Sequence, residues 1–218
     1  MIRAFLFDLD GTLLDSLADI ADAMNDALAE ANWPTHPLAL YRESVGEGVE
    51  ALARRVAPPT VAEGDPRRAA LTARYQAIYA GRLTRATKPY PGVPELVAAL
   101  RGRGLPLGVL SNKPDAATRL LVDTFFEASS FAAVRGQRPG VPRKPDPSAA
   151  LALAAELGVP PAEVAFVGDT AVDMRTARAA GMVAVGVSWG FRPGELRDAG
   201  AELIVDAPSA LASLASKP

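Results

Sequence analysis

The stretch AFLFDLDGTLLDS, residues 4–16, decides the fold. Its apolar start stops abruptly at Asp8, a second carboxylate follows at Asp10, and Gly11 comes directly after it. A short apolar run that ends in acids and glycine is typical of a strand buried on both faces of a sheet. Two carboxylates at one strand end repel each other, so the pattern indicates that a positive charge is held beside them.

Short apolar runs with the same character recur along the chain, each bounded by Gly, Pro, Asp or Asn. With the first run at 2–7, we predict strands at 105–110, 131–134, 164–168, 183–187 and 203–205. Patterns of helical period separate these runs. Alternation of this kind predicts an α/β fold, in which a parallel sheet has helices on both faces.

Residues 16–86 interrupt the alternation. Apolar side chains at helical spacing predict a helix after Ser16, and two more helical stretches follow near 47–57 and 66–82. Ser16 and Asp19 have the spacing of a capping box at the start of the first helix. Because a crossover between parallel strands needs only about 12 residues, we interpret 16–86 as an inserted all-helical subdomain and assign residues 1–15 and 87–218 to the core.

The composition excludes several classes of function. The chain has no cysteine and one histidine, His36, which excludes thiolate chemistry and multi-histidine metal centres. A net charge of −2 argues against a nucleic-acid or membrane partner. Nothing near the N-terminus has the pattern of a signal peptide, and no run approaches the length of a membrane span. We therefore expect a soluble, cytoplasmic protein.

Polar side chains gather where the predicted strands end. They are Asp8 and Asp10 after the first run, Ser111, Asn112 and Lys113 after the second, Asp169 and Asp173 after the fourth, and Lys144 in a loop. Ligands of open α/β sheets bind beyond the carboxyl ends of the strands. We therefore expect these side chains to lie along one rim of the sheet.

This set of residues indicates phosphoryl-transfer chemistry. Several carboxylates at one rim would destabilise the fold unless a hard cation bound there, and oxygen ligands without Cys or His favour Mg²⁺. Ser111 and Lys144 would add a hydroxyl donor and a positive charge for an anion beside the metal.

Four motifs in this order resemble those of the haloacid dehalogenase-like hydrolases. They are DLDGT at 8–12, Ser111 after the second strand, Lys144 in RKPDP, and GDTAVD at 168–173. The helical insert is similar to the family's type-one cap. The resemblance implies a Rossmann-like, three-layer core with a strand order near 5-4-1-2-3.

The resemblance also implies a role for each motif residue. Asp8 would be the nucleophile that forms an aspartyl-phosphate, and Asp10 the general acid and then the general base. Mg²⁺ would be held by Asp8, Asp169 and the backbone carbonyl of Asp10, with Asp173 in a second shell. The transferring phosphoryl group would bind Ser111, Asn112 and Lys144. Gly11 and Thr12 would form a mobile flap beneath the cap.

The insert contains SVGEGVEAL at 44–52, in which Gly46, Glu47 and Gly48 precede a helical stretch. Free N–H groups at that helix start could bind a second anionic group of the substrate; the alternative is a plain helix start. This loop resembles the phosphoglycolate phosphatase branch of the family. We therefore expect Mg²⁺-dependent hydrolysis of a small phosphomonoester, with 2-phosphoglycolate as the first candidate, by a monomer or homodimer.

Other functions compete with this interpretation. A dehalogenase of the family lacks the second acid of the first motif, and a phosphonatase needs a cap lysine, whereas residues 16–87 contain none. A sugar phosphomutase of the β-phosphoglucomutase type uses the same aspartate pair and stays open. A receiver-like phosphorylation switch also combines acids, Mg²⁺ and a lysine, although it has no helical insert of this length.

Overall fold

The fold is described by a computed structural model covering residues 1–215. Its centre is a parallel sheet of six strands. These strands are β1 (Ala4–Phe7), β4 (Leu107–Pro114), β5 (Ala133–Gln137), β6 (Val164–Gly168), β7 (Val183–Val187) and β8 (Leu203–Val205). Their spatial order is β5-β4-β1-β6-β7-β8. When the first five strands of this sheet are numbered along the chain, the order read from β7 to β5 is 5-4-1-2-3, so the predicted order is confirmed. The sixth strand, β8, lies at the edge beyond β7.

Helices cover both faces of the sheet and make three layers. They are α5 (Val93–Gly102), α6 (Asp115–Phe125), α7 (Ser148–Glu156), α8 (Ala171–Ala179) and α9 (Pro208–Leu214). Successive residues of a strand point to opposite faces. Phe5 and Phe7 accordingly pack into one hydrophobic cluster, with Leu100 and Leu121, whereas Leu6 packs into the other. The α/β, Rossmann-like fold class is therefore confirmed.

Four helices occupy the segment between the first strand and the rest of the sheet. They are α1 (Leu17–Glu30), α2 (Leu38–Ser44), α3 (Val49–Val56) and α4 (Pro66–Ala80). A two-stranded antiparallel ribbon of β2 (Leu14–Asp15) and β3 (Lys88–Pro89) pairs the two ends of this segment. The division into a core and a cap at 16–86 stays a prediction.

Some element bounds differ from the predicted ones. β4 extends to Pro114, so Ser111, Asn112 and Lys113 belong to the strand, and its pairing with β5 is irregular between Leu110 and Pro114. β5 begins at Ala133. The helices α2 and α9 were not predicted from the sequence. Both are seven residues long, too short for an apolar period to stand out.

The capping box predicted for Ser16 and Asp19 is wrong. Ser16 is the N-cap residue of α1 but makes no side-chain capping hydrogen bond. Its hydroxyl donates to Asp10, and the Asp19 carboxylate accepts bonds from residues 86 and 87. Both side chains therefore bind groups outside the first turn of α1 instead of the backbone N–H groups of that turn.

No helix within residues 1–215 has both the length and the apolar character needed to cross a membrane.

Candidate active site

Asp8, Lys144 and Asp173 form a buried charged cluster at the carboxyl end of β1. The backbone N–H of Asp8 donates to Val167 of β6, which fixes the position of the acid directly after its strand. Lys144 Nζ lies 2.8 Å from Asp8 Oδ1 and donates a hydrogen bond of 2.7 Å to Asp173 Oδ1. Lys144 comes from the loop that leads to α7, so three chain segments converge here.

Asp169 lies directly after β6 and joins the turn that follows β1. Its carboxylate accepts hydrogen bonds from the Thr12 hydroxyl at 3.1 Å and from the Phe191 N–H at 2.7 Å. The helix that follows is capped by Thr170, which forms a capping box with Asp173. Asp169 is therefore not the helix cap, and both of its carboxylate oxygens accept bonds from elsewhere in the site.

Asp10 binds a different set of partners. Lys113 Nζ lies 2.9 Å from its Oδ1 atom and 2.8 Å from its Oδ2 atom, and Ser16 donates to Oδ1. Lys113 is buried, and its ammonium group also lies 4.7 Å from the centre of the Tyr79 ring of α4. The two acids of the first motif are thus each paired with a lysine from another segment.

Ser111 and Asn112 lie between these two ion-paired groups. Ser111 is buried, and its hydroxyl oxygen accepts the N–H of Lys113. Asn112 exchanges two hydrogen bonds with the backbone of Lys144 and donates a third, of 3.0 Å, to the Gly46 carbonyl. Its side chain therefore orients the Lys144 loop and links β4 to the helical segment.

A cavity of about 430 Å³ opens above Asp8, Asp10 and Ser111. Its walls come mainly from the helical segment and are largely apolar. They include Ile20, Val45, Leu52, Tyr75, Tyr79 and Leu83. Within residues 1–215, the charged residues that line this cavity are Asp8, Asp10 and Lys113.

The predicted cap loop contributes two of its three residues. Gly46 and Gly48 line the cavity, and Gly48 is the N-cap residue of α3. Glu47 does not line it, because its carboxylate is ion-paired with Arg55 of α3. The backbone of the loop, and not its acid, is thus available to a ligand.

Glycine is required where the turn after β1 meets Asp169. Gly11 has a φ of +87°, and a Cβ added there would lie 2.2 Å from Asp169 Oδ2. Gly190, after β7, meets the same side chain, because a Cβ added there would lie 2.2 Å from Asp169 Cβ. Side chains at these positions would displace the acid.

Burial dominates the electrostatics of the acids. It raises the pKa of Asp8 to about 7, with Asp173 adding to the effect and Lys144 opposing it. Burial, with Asp173 and Asp8 nearby, also raises the pKa of Asp169 well above its usual value. Burial by itself would lower the pKa of Lys144, but Asp173 and Asp8 raise it instead. Lys144 therefore compensates only part of the negative charge of the three carboxylates.

The donor set at this point fits a hard divalent cation. Asp8, Asp169 and Asp173 each offer one carboxylate oxygen, and these oxygens lie within 4.8 Å of one another. All three residues are buried, and oxygen donors alone are the set that Mg²⁺ prefers. The side chain of Asp10 points instead to Lys113 and Ser16.

Three residues of the site were not predicted to act there. Lys113 was noted only as a neighbour of Ser111, although its two-residue spacing along β4 places both side chains on the same face of the strand. Trp189 contacts the turn after β1, because its indole N–H donates to the Thr12 carbonyl at 3.1 Å. No sequence pattern indicated a role for Gly190, since that role arises only from the close approach of its backbone to Asp169.

Comparisons with known proteins agree with this geometry. The family model of the haloacid dehalogenase-like hydrolases matches residues 2–181. The phosphoglycolate phosphatase of Rhodospirillum rubrum is 36% identical over 211 residues, which cover 94% of this chain and 88% of that protein. The crystal structure of a predicted phosphoglycolate phosphatase from Haemophilus somnus has a TM-score of 0.89 at 27% identity, covering 98% of this chain and 97% of the other.

A more distant structure has the same architecture. The β-phosphoglucomutase of Clostridium difficile has a TM-score of 0.77 at 20% identity, covering 97% of this chain and 93% of the other, and this likeness concerns the fold alone. The family model spans most of the chain, and all four motifs converge on one rim of the sheet. The chain belongs to the haloacid dehalogenase-like hydrolases.

Proposed function

We propose that this hydrolase is a Mg²⁺-dependent phosphatase that cleaves a small phosphomonoester through an aspartyl-phosphate on Asp8. The observation that carries the proposal is the placement of Asp8. Its carboxylate lies 2.8 Å from Lys144 Nζ and within 4.8 Å of a carboxylate oxygen of both Asp169 and Asp173, and Asp8 also lines the cavity. A nucleophile at the floor of a cavity, beside a fixed cation, suits attack on a bound phosphate.

In the first step, a carboxylate oxygen of Asp8 attacks phosphorus, and the bond from phosphorus to the alcohol oxygen breaks. Asp10 gives a proton to the departing oxygen, so the alcohol leaves neutral. Lys144 offsets negative charge on the phosphoryl oxygens, and the Ser111 hydroxyl donates to one of them. In the second step, water attacks the aspartyl-phosphate, Asp10 takes its proton, and inorganic phosphate and free Asp8 result.

Mg²⁺ would be held by Asp8 and Asp169, with Asp173 beside them and the backbone carbonyl of Asp10 as a further oxygen ligand. When bound, the metal neutralises charge on the carboxylates and on the phosphoryl oxygens. The protein's own contribution is to fix these carboxylates. Thr12 and Phe191 hold Asp169, while Thr170 and Lys144 hold Asp173.

We assign residues 16–86 the role of a cap that covers the cavity and contacts the leaving group. Several contacts between this segment and the rest of the chain support the role: Asn112 to Gly46, Arg143 to Glu50, and Lys113 to Tyr79. The first and the third of these contacts join residues that line the cavity. Closure would exclude water from Asp8 before attack.

The first substrate candidate is 2-phosphoglycolate. The name of the Rhodospirillum rubrum relative supports it, and so does the position of Gly46 and Gly48 in the cavity wall. A cytoplasmic location and a monomeric or homodimeric state remain predictions from the sequence.

The experiment is phosphate release from a panel of phosphomonoesters, with Mg²⁺ and again with EDTA. The panel contains 2-phosphoglycolate, β-glucose 1-phosphate and p-nitrophenyl phosphate. We expect metal-dependent, steady release that is fastest with 2-phosphoglycolate. Conversion of β-glucose 1-phosphate to its isomer without phosphate release would favour a mutase, and a single stoichiometric phosphorylation of Asp8 would favour a switch.

A further inference from the structure

Lys113 occupies a position that the proposed reaction does not explain. Its side chain is 3% exposed and lines the cavity, with Nζ within 2.9 Å of both carboxylate oxygens of Asp10. Ser16 binds Oδ1 of the same carboxylate. Both oxygens of the proposed acid and base are therefore already engaged by side chains of the protein.

This arrangement conflicts with the acid–base role proposed for Asp10. A general acid or base must come within hydrogen-bond distance of the oxygen whose proton it transfers. A carboxylate oxygen accepts about two hydrogen bonds, so Ser16 and Lys113 saturate Oδ1, while Oδ2 keeps one position beside the Lys113 ammonium group. Departure of Lys113 would open both oxygens to the ester oxygen.

The ring of Tyr79 also contacts the Lys113 ammonium group. Lys113 Nζ lies 4.7 Å from the Tyr79 ring centre, within the range of a cation–π contact. Burial raises the pKa of Tyr79 well above its usual value, so its ring carries a neutral phenol. The Tyr79 hydroxyl is buried and has no hydrogen-bond partner within residues 1–215. The ring can keep the ammonium group in the cavity wall when it leaves Asp10.

The other cations around the site are engaged by acids. Lys144 binds Asp8 and Asp173 below the cavity. Arg143 binds Glu50, and neither of these residues lines the cavity. Among the described residues, Lys113 is thus the cation that a second anionic group of a ligand in this cavity would meet.

We propose that Lys113 determines substrate specificity by exchanging the Asp10 carboxylate for a carboxylate on the leaving group. This inference rests on the proposed phosphatase function and deepens it. A phosphomonoester with an acid group near its ester oxygen draws Lys113 away and frees Asp10 for that oxygen. A neutral leaving group provides no replacement, so Lys113 stays on Asp10 and turnover is slow.

The energetics favour an exchange over a simple release. Removing one partner from a buried ion pair leaves an uncompensated charge and is strongly unfavourable. Replacing one carboxylate by another keeps the lysine paired throughout, and the freed Asp10 carries the proton that it gives to the ester oxygen, so neither group is left as an unpaired charge. The substrate's own acid group therefore removes the barrier that the Asp10–Lys113 pair would otherwise impose.

The test compares Lys113→Met with the wild type on two substrates that differ in one group. These are 2-phosphoglycolate and ethyl phosphate, in which a methyl group replaces the carboxylate. Lys88→Met is the matched control, because Lys88 is exposed and does not line the cavity. For Lys113→Met we expect kcat/KM to fall about 100-fold on 2-phosphoglycolate, the value of one charged hydrogen bond at its upper range. On ethyl phosphate it should stay constant or rise, because Asp10 is freed.

An equal loss on both substrates would overturn the proposal, since a merely structural role lowers both rates together. Binding provides a measurement that does not depend on turnover. In the presence of Mg²⁺, the wild type should bind 3-phosphonopropionate about 100-fold more tightly than propylphosphonate, and Lys113→Met should bind the two alike. Equal affinity of the wild type for both phosphonates would also overturn the proposal.

The two proposals can fail separately. If the wild type releases phosphate from no ester, the phosphatase function is wrong, and the phosphonate preference still decides whether Lys113 binds the second acid group. If phosphate is released without preference for the carboxylated ester, the function stands and the role of Lys113 is refuted.

Discussion

The Asp19 carboxylate accepts hydrogen bonds from both the N–H and the hydroxyl of Thr87, each of 2.7 Å. It also accepts the N–H of Ala86. Asp19 lies in the first helix after the strand β1, whereas Thr87 lies 68 residues later, where the chain returns to the sheet. One buried side chain thus joins the two connections between the helical segment and the core.

Removing this carboxylate should destabilise the protein. Asp19→Ala leaves buried N–H groups without acceptors, and we expect the free energy of unfolding to fall by about 2–4 kcal/mol. Urea denaturation measures the change. Asp22→Ala is the control, because Asp22 is exposed on the same helix and should alter stability by less than about 0.5 kcal/mol. Equal effects of the two variants would contradict the anchoring role.

Mg²⁺ should stabilise the wild type against heat through the carboxylate cluster. Asp169→Asn removes one charged ligand, so the rise in Tm on adding Mg²⁺ should shrink or vanish. Asp146→Asn, on a partly exposed acid outside the cluster, should keep the full rise. Differential scanning fluorimetry with increasing Mg²⁺ provides the measurement. An unchanged rise in Asp169→Asn would place the metal elsewhere.

Metal affinity should depend on pH in a defined direction. In the absence of metal, burial raises the pKa of Asp8 to about 7 and that of Asp169 well above its usual value. Mg²⁺ binds the deprotonated acids, so protons compete with it below these pKa values. The apparent affinity should therefore increase between about pH 6 and 8, by up to tenfold per unit for each proton released. Calorimetric titration in buffers of different ionisation enthalpy counts those protons, and a constant affinity would disprove the coupling.

Gly190 should tolerate no side chain. In Gly190→Ala the new methyl carbon would meet Asp169 Cβ at 2.2 Å and the Gly11 carbonyl at 2.5 Å. We expect a loss of about 1–3 kcal/mol in stability from the displaced atoms, together with weaker Mg²⁺ binding. Gly194→Ala, where nothing lies within 4 Å, is the matched control. If both variants unfold at the same urea concentration, the predicted clash does not occur.

Replacing Asp8 and replacing Asp10 should affect turnover differently, depending on the leaving group of the ester. Asp8→Asn should remove turnover by at least about 1,000-fold, because the amide is not a nucleophile. Asp10→Asn should slow hydrolysis of 2-phosphoglycolate far more than that of p-nitrophenyl phosphate, whose leaving group departs without a proton. Steady-state kinetics on both esters decide the matter. Equal losses in Asp10→Asn would exclude it as the leaving-group acid, and normal turnover in a folded Asp8→Asn would exclude the nucleophile.

The sequence by itself determined the sheet and its active rim. Apolar runs of three to six residues are strands because both faces of a parallel sheet are buried, and three of the predicted runs match the observed bounds: 164–168, 183–187 and 203–205. Parallel strands end at one rim, so Asp8, Ser111 and Asp169 could be predicted to meet before any contact was known. The roles assigned to them remain predictions.

Only the tertiary structure decided how the polar groups pair. Ser16 and Asp19 had the spacing of a capping box, yet Ser16 donates to Asp10 in the turn after β1, and Asp19 binds Thr87, 68 residues later. The pairing of Asp10 with Lys113, 103 residues away, likewise follows from the adjacency of β1 and β4. The spacing of residues along the chain indicates the period of a helix or strand. The partner of a buried charge is instead the group that the folded chain places within about 3 Å of it.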